Sequence, residues 1–278
     1  MEANLQRRVQ RYGWDRAAAD YESLWQAQLS AVQTKLLDCA SLKPGERVID
    51  VACGTGLIAL RAAQAVAPAG RVLGVDLSGQ MVNTARQRAE TSKASNAQFA
   101  RMDAERLDLP DASFDVALCG LGLMYLPDPE RAVREMRRVL RPGGRLSLAV
   151  WGERSSCGWA ALFPIVEAEV ASEVCPLFFH LGQADCLARV CAEAQFASIE
   201  QHRFATMLVY ADADEACNAA FVGGPAALAW SRFDDDARAR VRARYVSAIE
   251  SWRHGNGYDI PGEFVVVAAV APHGHGAR

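Results

Sequence analysis

Asp50, Gly54, Gly56, Asp76 and Asp103 are spaced so that one loop can hold an anion while two carboxylates hold a cation and a diol. The stretch VIDVACGTGLIALRAA (48–63) runs from an apolar strand through Gly54-x-Gly56-x-x-Ala59 into a helix. A helix start offers unpaired N–H groups and a partial positive charge, so an anionic group docked there is favoured. Asp50 lies inside the strand, four residues before Gly54, placed to meet an ammonium and placed badly for a pyrophosphate unless its charge is neutralised. Asp76 follows at the end of the next strand, where a carboxylate can take both hydroxyls of a ribose.

Two cofactors use such a loop: a dinucleotide through its pyrophosphate, and S-adenosylmethionine (SAM) through its methionyl carboxylate. The glycine fingerprint and Asp76 fit either. What separates them lies downstream, in RMDAERLDLPDASFDVALCGLGLMYLPDPERAVREMRRVLRPGGRLSLAVWG: an Asp after the third strand, an L-P-x-x-x-F-D entry to the fourth, and a helix ended by R-P-G-G before the fifth. With VIDVACGTG and GVDLS ahead of it, this series resembles the class I SAM-dependent methyltransferases, in the group that includes ubiquinone and menaquinone C-methyltransferases and small-molecule O- and N-methyltransferases. The resemblance runs from about residue 15 to residue 270.

The elements that must position these residues are strands alternating with helices. Residues 20–40 place Tyr21, Leu24, Trp25, Leu29, Val32, Leu36 and Leu37 on one helical face, predicting one helix before the first strand. Strands are predicted at 47–52, 71–78, 97–104, 114–123, 145–152, 198–210 and 262–271, and helices at 57–67, 79–93 (capped by Ser78), 127–140, 183–196 and 212–253. The expected fold is α/β, a Rossmann-like doubly wound, mostly parallel seven-stranded sheet with helices on both faces, N-terminal helices, and a helical lid inserted before the last strand. Residues 1–278 read as a single domain, with 45–152 as its cofactor-binding half and 1–44, 153–182 and 212–255 as acceptor-binding or lid elements. Within the lid, Gly223-Gly224-Pro225 reads as a flexible joint flanked by Phe221, Leu228 and Trp230. The terminal PHGHGAR has no ordering pattern.

Composition narrows the partners. A net charge of −3 gives no bulk attraction to nucleic acid. The basic run Arg131, Arg134, Arg137, Arg138 and Arg141 carries Glu130 and Glu135 among its members and reads as a solvated helix face. The 8 cysteines form no C-x-x-C pair, no metal set is legible, and no apolar run has signal-peptide or membrane-spanning length. A cytoplasmic enzyme acting on a small molecule is expected, with a homodimer as one assembly open to it.

The resemblance implies roles residue by residue. Asp50, Ala52, Gly54 and Gly56 line the methionine end of SAM and of its product, S-adenosylhomocysteine (SAH). Asp76 takes the ribose diol, Leu77 and Met81 pack on the adenine, Asp103 accepts from its amino group, and Ala104 offers a backbone N–H. Cys119, ending the fourth strand, falls near the sulfonium. Methyl transfer needs alignment and exclusion of water, and a general base only where the acceptor must lose a proton. His180, Tyr21 and Tyr125 are the candidate catalytic groups; Tyr12, Trp25, Met124 and Trp230 are the candidate acceptor contacts. AVWGERSSCGW after the fifth strand departs from the acidic run of quinone C-methyltransferases, which moves weight from a quinone to another partly hydrophobic molecule. An NAD(P)-dependent oxidoreductase and a cofactor-binding module without activity are the readings of a different class.

Overall fold

The computed structural model describes residues 3–170, 175 and 177–273. Parts of the 153–182 segment and most of the terminal PHGHGAR lie outside the described residues. Strands β1 (Arg47–Val51), β2 (Arg71–Asp76), β3 (Ala97–Arg101), β4 (Phe114–Gly120), β5 (Leu140–Trp151), β6 (Ala197–Tyr210), β7 (Arg253–His254) and β8 (Gly257–Val270) share one sheet. Its order is β3-β2-β1-β4-β5-β8-β6, with β7 paired to β8 off that path.

Strands β1 to β5 run parallel, and β8 runs antiparallel to β5, β6 and β7. The sheet therefore has eight strands where seven were expected. The added one is the two-residue β7, which folds back on β8 across Gly255-Asn256, with Gly255 at φ +62°. Central strands β1 and β4 are apolar and buried on both faces, as a sheet sandwiched between helices requires.

On the chain's N-terminal side stand α1 (Ala3–Ala17), α2 (Tyr21–Trp25) and α3 (Ser30–Ala40). The single helix expected over 20–40 is thus broken after Trp25. The break lets Gln28 lie along the edge of β6, where its amide accepts the Val209 N–H at 3.0 Å and donates to the Val209 carbonyl at 2.5 Å. Trp25, Leu29, Val32 and Leu36 still turn into the core across it.

Helices α4 (Leu57–Val66), α5 (Gly79–Thr91) and α6 (Pro129–Val139) are the crossovers. Ser78 caps α5 by accepting the Met81 N–H at 3.1 Å, and Asp128 caps α6 by accepting that of Arg131 at 2.8 Å. The basic face of α6 is a surface: Arg131 and Arg134 are exposed, Arg138 pairs with Glu135 and Asp111, and Arg141 with Asp115. Beyond β5 come α7 (Leu162–Val170) and α8 (Cys186–Glu193), and between β6 and β7 the insertion α9 (Ala213–Phe221), α10 (Ala227–Trp230) and α11 (Asp235–Ile249). Buried side chains from Trp25 in α2 to Val267 in β8 form one contiguous core. Among the described residues no helix is long and apolar enough to cross a membrane.

Candidate active site

The site lies at the carboxyl ends of β1, β2 and β4, where the sheet order reverses between β1 and β4 and opens a crevice. Gly54 (φ +54°) and Gly56 (φ +82°) turn the chain from β1 into α4, a backbone path that favours glycine. Ala52 (φ +57°) and Leu121 (φ +60°) adopt the same left-handed region without that freedom, strain of the kind that gathers at functional sites. Gly122 allows the loop after β4 to close on the loop after β1, since a Cβ there would stand 2.3 Å from that of Ala52.

A cleft of about 770 Å³, its mouth included, opens above these turns. Ala52, Gly54, Asp76, Leu77, Met81, Asp103 and Ala104 line it, so most of the expected cofactor set is brought together. Asp50 lines an adjoining cleft of about 420 Å³ with Ala52, Cys53, Gly54 and Tyr21. Gly56 lines neither cleft and serves the turn, beginning α4 and packing under Phe99. Cys119 does not reach the cleft as expected; it is fully buried beneath Gly122, and burial pushes its thiol up to about 12.

The carboxylates differ in how they are held. Asp76 accepts the Gly54 N–H at 2.9 Å on one oxygen and the Ser78 N–H at 2.8 Å on the other. Burial raises its pKa above the ordinary value and those N–H groups pull against the rise. Asp50 is buried with neither oxygen in a well-formed hydrogen bond; burial first, and the Asp76 charge second, push its carboxyl to about 8 against a weaker opposing pull from the Ala59 N–H. Asp103 accepts the Glu105 N–H at 2.9 Å and stands 3.3 Å from the Arg7 guanidinium, which also pairs with Glu105.

Arg7 belongs to α1, which lies across the cleft and is fastened at its other end by Asp15, acceptor to the Ser78 hydroxyl at 2.6 Å and the Gln80 N–H at 3.2 Å. Arg7, Gln10, Arg11 and Trp14 line the cleft without having been expected there. Their only signal in the sequence is the helical pattern of NLQRRVQRYGWDRA, which does not say what the helix covers.

A second chamber of about 340 Å³, its mouth included, adjoins the cleft, sharing Trp14, Tyr21, Leu121 and Tyr125 with it and adding Trp25, Leu29, Met124, Trp151, Trp159, Gly224 and Pro225. Trp25 and Met124 are there as expected; Trp151 and Trp159 carry no sequence signal that separates them from core. Tyr12 is corrected: it is 48% exposed, with the Arg11 guanidinium 4.4 Å over its ring. Trp230 also stays outside, stacked on Phe221 at 4.8 Å and 14°. Gly224 and Pro225 reach the chamber in its place. Gly223 has no positive φ; it is glycine because a Cβ would stand 2.8 Å from Leu24 and 3.3 Å from the Trp25 indole, so close packing on α2 replaces the expected flexible joint.

His180 is exposed and outside all three spaces, because Phe178 and Phe179 take the inward positions of that turn. Tyr21 and Tyr125 do face the chamber. Burial holds both hydroxyls protonated well past their usual range, reinforced at Tyr21 by the nearby Asp76 and Asp50 charges. In the free chain they stand as protonated hydroxyls, donors and steric walls.

Residues 48–144 match the family model described as a methyltransferase domain. They are a class I methyltransferase domain. The chain is similar to a ubiquinone/menaquinone biosynthesis C-methyltransferase of Ectopseudomonas mendocina, 40% identical over 111 residues, which is 40% of this chain and 43% of that protein. Across the first curated relatives the match spans from 32% to 52% of their length. Among solved structures, a putative methyltransferase from Bacillus halodurans aligns at a TM-score of 0.62 and 22% identity over 87% of this chain and 99% of that one, a likeness of fold. The [4+2]-cyclase SpnF aligns at 0.59 and 25% identity over 92% and 85%. The cleft described above is built by this methyltransferase domain, with α1 and α2 laid over it; the aromatic chamber draws its remaining walls from β5, the segment after it, and the 212–255 insertion.

Proposed function

We propose that the chain moves the methyl group of SAM to a small, partly hydrophobic acceptor held in the aromatic chamber. The observation that carries this reading is Asp50, a buried carboxyl with two unpartnered oxygens beside the glycine turn. An α-ammonium satisfies it by drawing out its proton and pairing with the carboxylate, whereas a pyrophosphate on the same turn brings it no cation to pair with. The rest of the donor set agrees. Asp76 uses one lone pair of each oxygen on the backbone and has capacity left for two ribose hydroxyls. Leu77 and Met81 offer apolar contact to a purine, and Asp103 an acceptor for its amino group.

When bound, SAM supplies a methyl carbon already activated by a sulfonium. The chain's own work is then to align and to exclude water. Helix α1 covers the cleft, Tyr21 stands where the two clefts and the chamber meet, and Trp25, Trp151 and Trp159 keep the chamber dry. The quinone reading draws on relatives matched over less than half of this chain. A net charge of −3 and eight unpaired thiols support a small-molecule acceptor and a reducing, cytoplasmic setting.

Calorimetric titration with SAM, SAH and NAD, followed by label transfer from methyl-labelled SAM into a metabolite extract, tests the proposal. Tight SAH binding with labelled product is expected. Preference for NAD overturns it, and SAH binding without any label transfer favours chemistry of another kind on this fold, of which the cyclase SpnF is by its name an instance.

A further inference from the structure

The chamber's rings stand at steep angles to one another. Trp25 is edge-on to Trp151 at 69° and to Trp159 at 73°, with centroids 6.3 and 6.4 Å apart, and Trp14 is edge-on to Tyr125 at 80° and 5.0 Å. Walls so arranged enclose a box; a flat ring would call for a parallel-sided slot in which to stack. Among the described residues, none that lines the chamber carries a formal charge. The Asp76 carboxylate, in the adjoining cleft, acts on it through Tyr21, and its sign favours a cation.

We propose that this box selects a neutral amine nitrogen as the methyl acceptor and holds the resulting ammonium against its ring faces. The inference rests on the methyl-transfer reading above and narrows it to an acceptor class. A phenol, an enol or a thiol must lose a proton, and the chamber's lining provides no group to take it: Tyr21 and Tyr125 keep theirs. An acceptor already ionised, a carboxylate or thiolate, would enter a space of electron-rich ring faces where the described residues offer it neutral donors, the unpartnered Trp25 and Trp159 indole N–H groups and the tyrosine hydroxyls, and no cation. An amine that leaves its proton in water before entry arrives neutral, with its own lone pair, whereas a phenol or thiol that does the same arrives as an anion.

The step balances without a base. The nitrogen lone pair forms the N–C bond, the C–S bonding pair returns to sulfur, and the sulfonium becomes a neutral thioether. The positive charge passes from sulfur to nitrogen. A tertiary amine loses no proton and leaves as a quaternary ammonium; a secondary amine sheds its N–H proton to water after release. One positive charge stands near the rings before and after transfer, so the walls that tolerate the donor also stabilise the product.

The test uses the full chain saturated with SAH and two soluble probes of equal shape, choline and its neutral carbon isostere 3,3-dimethyl-1-butanol. Choline is expected to bind roughly tenfold more tightly or better, the scale of a desolvated cation on aromatic faces. Trp159→Leu should erase that preference and Trp159→Phe keep it, with the SAH dissociation constant of both variants reporting an intact fold. The comparison in the parent chain needs no variant. Equal or tighter binding of the alcohol, or binding of neither probe, overturns the inference while leaving SAH binding in place. Failure to bind SAH at all overturns the methyl-transfer reading itself, and the inference falls with it.

Discussion

One carboxylate oxygen of Asp76 accepts the Gly54 N–H at 2.9 Å, tying the end of β2 to the turn that ends β1. The side chain thus has two tasks, fixing the glycine turn and receiving the ribose. Asp76→Ala removes two charge-assisted bonds to the cofactor, each on the order of 1.5–3 kcal/mol, and loosens the turn as well. SAH affinity should fall at least about a hundredfold, with a modest drop in melting temperature. Calorimetry beside a thermal melt checks both, and a variant that binds SAH as tightly as the parent refutes the placement of the ribose.

Asp50 makes cofactor binding depend on pH. Its folded pKa, about 8, lies above its ordinary 3.8, so folding takes up a proton across that interval. The contribution is fully favourable below about pH 4, declines as pH rises, and levels off above about pH 8. Asp76 is shifted in the same direction and adds to the slope. Asp50→Asn should therefore flatten, without abolishing, the loss of melting temperature of the free chain across that range. At neutral pH the parent should release close to one proton on binding SAH, about as expected when a protonated carboxyl must ionise to meet an ammonium. Calorimetry in buffers of different ionisation enthalpy reads that proton. The variant should release none and bind at least roughly tenfold more weakly; tight binding without linkage would remove the ammonium from this position.

The cofactor half was legible because its signals are local. Gly54 and Gly56 declare a turn by residue type, Ser78 declares a cap, and Asp50 and Asp76 follow from their offsets to the glycines. Its cover was not legible. Arg7 meets Asp103 and Glu105, and Asp15 meets Ser78, across long stretches of chain, and no periodicity in α1 points to those partners. The chamber is harder still, since Trp25, Trp159 and Pro225 come from three distant segments and each looks like ordinary core within its own. His180 went astray for a simpler reason: in LFFHLG only some side chains can turn inward, and Phe178 and Phe179 have the larger apolar surface to bury. The broken helix at 20–40 reflects a tertiary contact, Gln28 on the β6 edge, that helical spacing cannot anticipate.

Tyr21 and Tyr125 face the chamber with hydroxyls that keep their protons, so neither should act as a base. Tyr21→Phe and Tyr125→Phe are expected to lower the transfer rate by less than about tenfold and to leave the shape of its pH profile unchanged. A positioned general base is worth about 10²–10⁴-fold, so a loss on that scale with a vanished limb of the profile would identify one of them as the proton acceptor and defeat the base-free account.

The insertion separates into a part that meets the acceptor and a part that supports it. Trp230 is half-buried against Phe221, edge-on to Phe233, with Arg238 over its ring, and α10 packs on α1, where a Cβ on Gly13 would stand 3.7 Å from that of Leu228. Trp230→Ala should cost about 2–3 kcal/mol of stability, below the range for a fully buried tryptophan, and leave SAH affinity and acceptor KM within a few-fold of the parent. Gly224 behaves in the opposite way. It lines the chamber, and a methyl there would stand 3.1 Å from the Ala219 carbonyl and 3.9 Å from the Trp25 ring, a crowding that must be relieved by a shift of a few tenths of an ångström in this part of the chamber wall. Gly224→Ala should raise acceptor KM several-fold with little change in melting temperature. Steady-state kinetics and melts on the two variants decide the matter: if Trp230→Ala alters acceptor KM and Gly224→Ala does not, the chamber has been drawn on the wrong side of α10.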